Sequence, residues 1–308
     1  MIKKPVPWPN GARCAVAFTF DMDADSILHL AHPKDSYRRL SAISTLRYGP
    51  EIGVPRILDT YREFGLKQTF FVPAWCVEQY PRAVEAMVAD DHEVAHHGYI
   101  HEHPNELSGE EEAYWFRRSI DVIEKHTGQR PRGFRAPLYN MSEQTVELMA
   151  EEGFLYDASL MGDDQPYLLR CERGDLVELP SHWGMDDWPP YVHMPDIDFN
   201  MPIKAPSEAM KCFREEFDAM WEYGGLWVPV WHPFVSGRLA RWREVEKLIQ
   251  YMVDKGGVWF ATMEEIAEHV RTVAEDGTYE PRIDTLPYYS GPVQVGKDGF
   301  ADHSRVRA

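Results

Sequence analysis

Short apolar runs along the chain alternate with longer segments in which apolar residues recur every three or four positions. The short runs predict strands, which span residues 14–20, 68–72, 93–95, 133–135, 176–180, 226–231 and 258–261. The longer segments predict helices, which span residues 54–64, 81–89, 108–126, 142–152, 207–223, 241–254 and 262–275. Strands that alternate with helices form parallel sheets, and about seven such units favour a barrel over an open sheet.

Two of the predicted helices carry a start signal. Ser108 with Glu111, and Thr262 with Glu265, have the Ser/Thr-x-x-Glu spacing of a capping box. In this motif each side chain binds the backbone N–H group of the other residue, which would otherwise be unpaired at the helix start. We therefore expect helices to begin at these two positions.

Three segments interrupt the alternation of strands and helices, at residues 24–50, 181–202 and 276–308. Long excursions from a compact domain are usually lids or intersubunit arms. We predict a single barrel domain over residues 1–275, followed by a C-terminal arm or tail over residues 276–308.

The charge balance excludes some classes of partner. The 308 residues include 32 basic and 50 acidic side chains, a formal net charge of -18, which disfavours binding to nucleic acid or to an anionic membrane. Apolar runs stay well short of a membrane span and the first ten residues lack a signal-peptide pattern, so we expect a cytoplasmic protein. The four cysteines form no C-x-x-C pair, which argues against a zinc knuckle or a disulfide scaffold.

Two carboxylates follow the first predicted strand. Asp21 and Asp23 stand two residues apart, a spacing that places both side chains on one face of a strand. One carboxylate can then bind a metal while the other accepts a proton from a metal-bound water. The alternative is a solvated acidic turn that merely ends the strand.

Two histidines follow the third predicted strand. His97 and His101 are four residues apart, so one tight loop can offer both imidazoles to one cation. For the neighbouring His92 and His103 we expect ordinary loop or surface roles.

Two more side chains stand at strand ends. Arg135 precedes Ala136 and Pro137, and its guanidinium can hold a carboxylate through two hydrogen bonds or form an ordinary surface ion pair. His232 ends the apolar run 226–231, where it can be the acid that protonates a leaving nitrogen or a satisfied core histidine. In a parallel sheet all these side chains gather at one edge.

Four motifs together resemble the polysaccharide deacetylase superfamily, also called the NodB-homology family. They are Phe-Asp-Met-Asp at 20–23, His-Gly-Tyr-Ile-His at 97–101, Arg-Ala-Pro at 135–137 and Val-Trp-His-Pro at 230–233. The match runs in the family's motif order over residues 12–268. The resemblance implies a distorted (β/α) barrel of about seven parallel strands, similar to a TIM barrel.

The resemblance also implies a role for each candidate. Asp21 is then the general base, Arg135 orients Asp21, and His232 is the general acid. The divalent metal, most simply Zn with Mn, Co or Ni as alternatives, is held by a set of three ligands: Asp23, His97 and His101.

The chain departs from the sugar deacetylases that define the family at two positions. Met22 separates the two aspartates, which are adjacent in those enzymes, and Gly98 replaces the usual Ser or Thr. The separated aspartates, the lack of an export signal and the long N-terminal insertion look more like the cytoplasmic branch, and segments 156–167 and 180–189 strengthen that similarity. That branch includes metal-independent allantoinases, cyclic imide hydrolases and peptidoglycan-deacetylase-like proteins.

The sequence therefore favours a metal-dependent hydrolase that opens a C–N bond in a small cyclic amide, such as an imide, a hydantoin or an allantoin-like ring. The alternatives are a deacetylase of N-acetylated sugar or peptidoglycan fragments, and an inactive carbohydrate-binding barrel. Asp164, Trp183 and Trp188 are candidate walls of the substrate pocket. From the extra segments and the resemblance we expect a homo-oligomer, a dimer or a tetramer.

Overall fold

The computed structural model describes residues 1–291, so most of the predicted C-terminal arm, residues 292–308, lies outside the described residues. The strands are β1 (Cys14–Val16), β2 (Thr19–Asp21), β3 (Thr69–Val72), β4 (Glu93–His96), β5 (Gly133–Phe134), β6 (Tyr156–Asp157), β7 (Tyr167–Cys171), β8 (Gly174–Glu178), β9 (His193–Met194), β10 (Phe199–Asn200), β11 (Leu226–Trp227), β12 (Val230–Trp231), β13 (Val258–Phe260) and β14 (Ile283–Thr285).

The helices lie mostly between these strands. They are α1 (Ser26–Ala31), α2 (Leu40–Tyr48), α3 (Val54–Phe64), α4 (Ala74–Gln79), α5 (Pro81–Ala89), α6 (Gly109–Thr127), α7 (Thr145–Glu151), α8 (Trp188–Tyr191), α9 (Pro206–Tyr223), α10 (Leu239–Lys255) and α11 (Met263–Glu275). Both predicted capping boxes are confirmed, at the starts of α6 and α11. None of the helices within residues 1–291 combines the length and apolarity needed to cross a lipid bilayer.

The strands form one long, mostly parallel sheet of order β12-β2-β3-β4-β5-β6-β8-β7-β14, and a second sheet of order β11-β1-β13. The chain after β8 returns to the opposite edge of the long sheet, where Ser181 Oγ donates to the Val228 carbonyl at 2.7 Å. Within the described residues an isolated parallel bridge between Asp186 and Val230 joins this returning segment to β12, in place of a continuous ladder. The architecture is thus the predicted distorted (β/α) barrel, with an incompletely hydrogen-bonded seam.

Two predicted strands are each divided in the structure. The run 226–231 gives β11 and β12, and the run 14–20 gives β1 and β2. Pro229 lies at the first interruption and has no N–H group to donate to a ladder. Its carbonyl instead accepts a hydrogen bond from the Thr19 hydroxyl of the neighbouring strand. The single long strands predicted here were therefore wrong in detail, although their direction and position are confirmed.

Short or antiparallel strands were missed from the sequence. β6 has two residues, too few to show a period, and Gly133 faces it where an added Cβ would lie 1.9 Å from the Tyr156 ring. β7 runs antiparallel to β8. Residues 283–285 of the predicted C-terminal arm pair in parallel with β7 and extend the sheet.

The two inserted segments, residues 24–50 and 181–202, pack on each other and form what we call the cap. Ile27, Leu46, Trp188 and Met194 belong to one buried cluster that is separate from the barrel core. An ion pair of 2.7 Å between Arg39 and Asp196 also links the two segments. Residue 24 follows β2 directly, and Trp188 of the cap lies 5.1 Å from His232, just after β12, between ring centres. The cap therefore covers the carboxyl ends of these two strands.

A buried carboxyl pair lies at the ends of β6 and β8, where Asp157 and Glu178 are register partners. Burial, and then the adjacent Asp157, raises the pKa of Glu178 well above its usual range, and burial raises the pKa of Asp157. A carboxyl whose pKa is raised in the folded state stabilises the fold below its unfolded pKa, and this stabilisation is lost as the pH rises through the folded pKa.

We expect Glu178→Gln to raise the melting temperature by a few degrees at about pH 8 and to give no gain at about pH 4, where Glu178 is already protonated. Thermal unfolding followed by circular dichroism across this pH range measures the difference. Glu85→Gln, a substitution on an exposed face of α5, serves as the control. An equal effect of Glu178→Gln at both pH values would show that the pair does not hold a proton.

Candidate active site

Four strand ends bring the predicted chemical groups together beneath the cap. β2 ends at Asp21, β4 is followed by His97, β5 by Arg135 and β12 by His232. The strand registers bring these ends to the same level of the sheet. Asp21 of β2 pairs with Phe71 of β3, β3 pairs with β4, and β4 pairs with β5. The carboxyl edge of a parallel sheet is where such groups converge.

Asp23 is the centre of a possible metal site. Its Oδ1 lies 3.4 Å from His97 Nε2, and its Oδ2 lies 3.6 Å from His101 Nε2. One ligand atom from each of the three residues lies within 4.8 Å of the others, and all three side chains are buried. Asp23 Oδ1 has no hydrogen-bond partner among the described residues. A buried carboxylate oxygen without a donor fits a cation, and one carboxylate with two imidazoles is a zinc-type donor set.

The backbone fixes the orientation of His97 for this role. Its Nδ1 lies 2.7 Å from the Arg135 carbonyl, so the N–H is at Nδ1 and the lone pair of Nε2 is directed at Asp23. Burial opposes protonation of His97, but Asp21 and then Asp23 raise its pKa above the usual value. Burial also tends to raise the pKa of Asp23, but the imidazoles of His101, His97 and His232 lower it overall.

A tight loop brings His101 back to Asp23. The Glu102 carboxylate accepts hydrogen bonds from the backbone N–H groups of Tyr99 at 2.8 Å and Ile100 at 2.7 Å, which closes the loop. Gly98 has φ of +73° and His101 has φ of +69°. A Cβ at Gly98 would also lie 3.2 Å from Glu102, which explains why this chain has glycine there.

Arg135 holds Asp21 beside the candidate metal ligands. Arg135 Nη1 donates to Asp21 Oδ1 at 2.6 Å, and its Nε donates to the Ala158 carbonyl at 3.2 Å. Arg135 is fully buried with its guanidinium 4.0 Å from the centre of the Phe71 ring. Asp21 Oδ2 lies 3.8 Å from His97 Nε2, next to the candidate metal ligands.

Asp187 orients His232 on the opposite side. His232 Nδ1 donates to Asp187 Oδ1 at 2.7 Å, while Asp187 Oδ2 accepts from the backbone N–H groups of His232 at 3.0 Å and Ser236 at 3.1 Å. Burial tends to lower the pKa of His232, but the adjacent Asp187 outweighs it and raises that pKa to about 10. Asp187 thus favours the protonated form of His232, whose Nε2 lies 3.5 Å from Asp23 Oδ2.

Asp186 and Asp187 are site residues that the sequence reasoning missed. Asp186 Oδ2 accepts from the Tyr139 hydroxyl at 2.5 Å and its Oδ1 accepts from the Trp188 N–H at 2.7 Å. Burial, with a further contribution from Asp187, raises the pKa of Asp186 to about 7. The only signal in the sequence was the Asp-Asp-Trp-Pro run at 186–189, within a segment already noted for the family resemblance.

Asp186, Asp187 and His232 form a second group with the spacing of metal ligands. Their hydrogen bonds decide against that role, because Asp187 accepts bonds from His232 and Ser236, and Asp186 accepts bonds from Tyr139 and Trp188. Asp23 Oδ1 has no such donor. Asp23, His97 and His101 are therefore the better candidate set for holding a cation.

A small cavity connects these groups. It is lined by Asp21, Asp23, His97, His101, Ala136, Leu138, Tyr139, Trp183, Asp186, Trp188 and His232. Of the three predicted pocket walls, Trp183 and Trp188 line this cavity, with Trp183 stacked edge-on against Tyr139 at 4.9 Å between ring centres. The structure does not bring Asp164 to the site, because this exposed residue lines a separate small cavity with Ser181 and His182.

The remaining histidines of the same region have structural roles. His96 Nδ1 accepts from the Gly98 N–H at 3.1 Å and its Nε2 donates to the Phe116 carbonyl at 3.1 Å. Burial lowers the pKa of His96 to about 3 and that of His92 to about 4. His103 forms an ion pair with Glu106 near the surface.

The fold and the site define a barrel hydrolase with a candidate metal centre, and Asp21 and His232 line the same cavity as the candidate ligands. The chain belongs to the polysaccharide deacetylase family, a family of hydrolases that act on C–N amide bonds. The family model described as Polysaccharide deacetylase matches residues 36–156.

The relatives of this chain cover most of its length. A peptidoglycan deacetylase of Helicobacter pylori is 30% identical over 254 residues, which is 73% of this chain and 86% of the relative. A solved structure from Mycobacterium smegmatis, of a protein assigned to the polysaccharide deacetylases, is 40% identical with a TM-score of 0.87 and covers 94% of this chain and 99% of its own. The PuuE allantoinase shares the fold, with a TM-score of 0.76 at 23% identity, and covers 90% of this chain and 95% of its own.

Proposed function

We propose that this protein is a metal-dependent hydrolase that opens the C–N bond of a small cyclic amide, such as an imide, a hydantoin or an allantoin-like ring. The observation that carries the proposal is the enclosure of the site. Asp21, Asp23, His101 and His232 are each 7% exposed or less, and Trp188 of the cap is 6% exposed. A small planar ring fits a site of this kind better than a polysaccharide strand, which needs an open groove.

The chemistry follows from the positions of the side chains. A divalent metal held by Asp23, His97 and His101 supplies Lewis-acid polarisation and a water of lowered pKa, and zinc suits this donor set, with manganese, cobalt and nickel as alternatives. Asp21, fixed by Arg135, accepts a proton at its free Oδ2. His232, held protonated by Asp187, donates a proton from Nε2 to the departing nitrogen.

Deacetylation of an N-acetylated sugar or a peptidoglycan fragment is the second candidate. It uses the same base, acid and metal set, because hydrolysis of an acetyl amide also needs an activated water and a protonated leaving nitrogen. The similarity to the Helicobacter pylori peptidoglycan deacetylase favours it. A third possibility, an inactive carbohydrate-binding barrel, is disfavoured because a binding protein needs neither Asp21 nor His232.

A substrate panel tests the proposal. The purified protein, supplied in turn with zinc, manganese and cobalt, is incubated with succinimide, hydantoin, allantoin and an N-acetylated chitooligosaccharide. Ring opening and acetate release are then measured separately. We expect ring opening of at least one cyclic amide, and its loss in Asp21→Asn. Acetate release without ring opening would favour the deacetylase, and the absence of both activities would contradict the enzyme assignment.

A further inference from the structure

We propose that an apolar cavity beside the metal ligands binds a side group of the substrate. The substrate is then a cyclic amide that carries an aliphatic or aromatic substituent, in preference to the bare ring. This inference rests on the proposed cyclic-amide function, and it adds the class of substituent to the site described above.

The cavity measures about 470 Å³, within the roughly 300–1,000 Å³ that small-molecule sites occupy. It shares three walls with the active-site cavity, namely His101, Leu138 and Trp188. His101 is also one of the proposed metal ligands. The two cavities are therefore adjacent, and a group attached to a ring at the candidate metal ligands lies next to this space.

The walls of the cavity are mostly apolar. The apolar lining residues are Ile27, Leu30, Ala31, Leu107, Leu138, Trp188, Ile197 and Phe199. Most of them belong to the cap, which packs Trp188 against Phe199 with 5.0 Å between ring centres. Burial of apolar surface against such walls is worth about fourfold in affinity for each methylene group.

The charged side chains of the lining disfavour an anionic substituent. Glu102 and Glu106 line the cavity, and none of its lining residues within the described part of the chain is a lysine or an arginine. Glu102 closes the His101 loop through the backbone of Tyr99, and Glu106 lies 3.4 Å from His103. The cavity thus offers no strong cation to a carboxylate or a phosphate.

Leu138 is one of the three residues that line both cavities. It has φ of +50° and the following Tyr139 has φ of +60°, a backbone region that non-glycine residues rarely adopt. The Tyr139 hydroxyl is bound to Asp186, which holds this turn in place. The strained turn thus holds an apolar side chain where it lines both cavities, and we assign Leu138 a part in substrate specificity.

The first test compares substrates that differ in one group. The metal-loaded protein is assayed with hydantoin, 5-isobutylhydantoin, 5-benzylhydantoin and hydantoin-5-acetic acid. We expect kcat/KM to rise by about tenfold or more from hydantoin to the benzyl compound, and to fall below the hydantoin value for the acetic acid derivative. Equal values for hydantoin and the benzyl compound would overturn the proposal.

Substitutions in the cavity test its location. Leu107→Trp fills the space and Ile197→Asn makes one wall polar, and each is expected to lower the ratio of kcat/KM for 5-benzylhydantoin to that for hydantoin by about tenfold. Leu239→Trp is the matched control, because Leu239 is 72% exposed and does not line the cavity. A ratio that stays unchanged in both cavity variants would contradict the assignment.

Binding separates this inference from the proposed function. Calorimetry with metal-loaded Asp21→Asn measures the Kd of hydantoin and of 5-benzylhydantoin without turnover. Tighter binding of the benzyl compound by about tenfold supports the cavity even if the wild-type protein opens neither ring, in which case only the proposed function fails. Equal binding of the two compounds, or no binding of either, overturns the cavity proposal.

Discussion

Asp21→Asn is expected to lower kcat by about 10²- to 10⁴-fold, the usual contribution of a general base, while the protein keeps its metal. Asparagine has nearly the same shape and can still accept the hydrogen bond from Arg135, but it cannot take a proton. Asp23→Ala is expected to lose metal and activity together, because Asp23 supplies the carboxylate that lies within 3.6 Å of both His97 and His101.

Elemental analysis and kcat measured on the same samples distinguish the two variants. The wild type, expressed in metal-supplemented medium, is expected to hold about one equivalent of divalent metal. Asp59→Asn, at a side chain 72% exposed, controls for the removal of an acidic residue. Equal loss of metal in Asp21→Asn and Asp23→Ala would contradict the division of roles, and less than about a tenth of an equivalent in the wild type would contradict the ligand set.

Asp187→Asn is expected to lower kcat by about 10²-fold or more, because His232 then loses the carboxylate that keeps it protonated and oriented. The pKa of His232, which Asp187 raises against the effect of burial, is expected to fall. The basic limb of the pH profile of kcat should therefore move to lower pH. The variant is also expected to lose roughly 3–5 kcal/mol of unfolding free energy, the cost of removing one partner of a buried ion pair.

Steady-state kinetics across a range of pH measures the change in kcat and in its pH profile. Chemical denaturation measures the loss of unfolding free energy. Ser236→Ala is a milder variant for comparison with Asp187→Asn. It removes only the hydroxyl that donates to Asp187 and leaves the hydrogen bond between Asp187 and His232. Asp91→Asn, at a side chain 87% exposed, is the neutral control. A loss of stability in Asp187→Asn without a change in the pH profile would mean that Asp187 supports the fold alone.

Much of the barrel could be predicted from local patterns. The predicted helices 54–64 and 81–89 match α3 and α5 end to end. A helix of this length repeats its three- and four-residue apolar spacing several times, so the helix can be identified from the sequence. The strand β6 has only two residues, too few to repeat an apolar spacing. The strand β7 runs antiparallel to β8, whereas the alternation of strands and helices predicts parallel strands. These two elements depend on contacts with distant strands and have no local signal.

The sequence by itself determined the candidate groups of the site and the edge of the sheet on which they meet. Asp21, Asp23, His97, Arg135 and His232 each stand at or just after an apolar run, and parallel strands necessarily present such ends on one side. Tertiary structure alone decided which partner each group has. Asp187 lies 45 positions before His232 in the chain, and only the return of residues 181–202 across the barrel seam brings the two together.

Tertiary structure also decided how the site is enclosed. The two inserted segments showed only irregular spacing, so their joint packing into the cap, and the cavity it forms over His101, could not be deduced from either one. Asp164 was predicted as a pocket wall and lies in segment 156–167, which carries part of the family resemblance, but the fold places it in a separate cavity. Strand-end chemistry is a local property of the chain, whereas enclosure results from side chains packing between segments far apart in sequence.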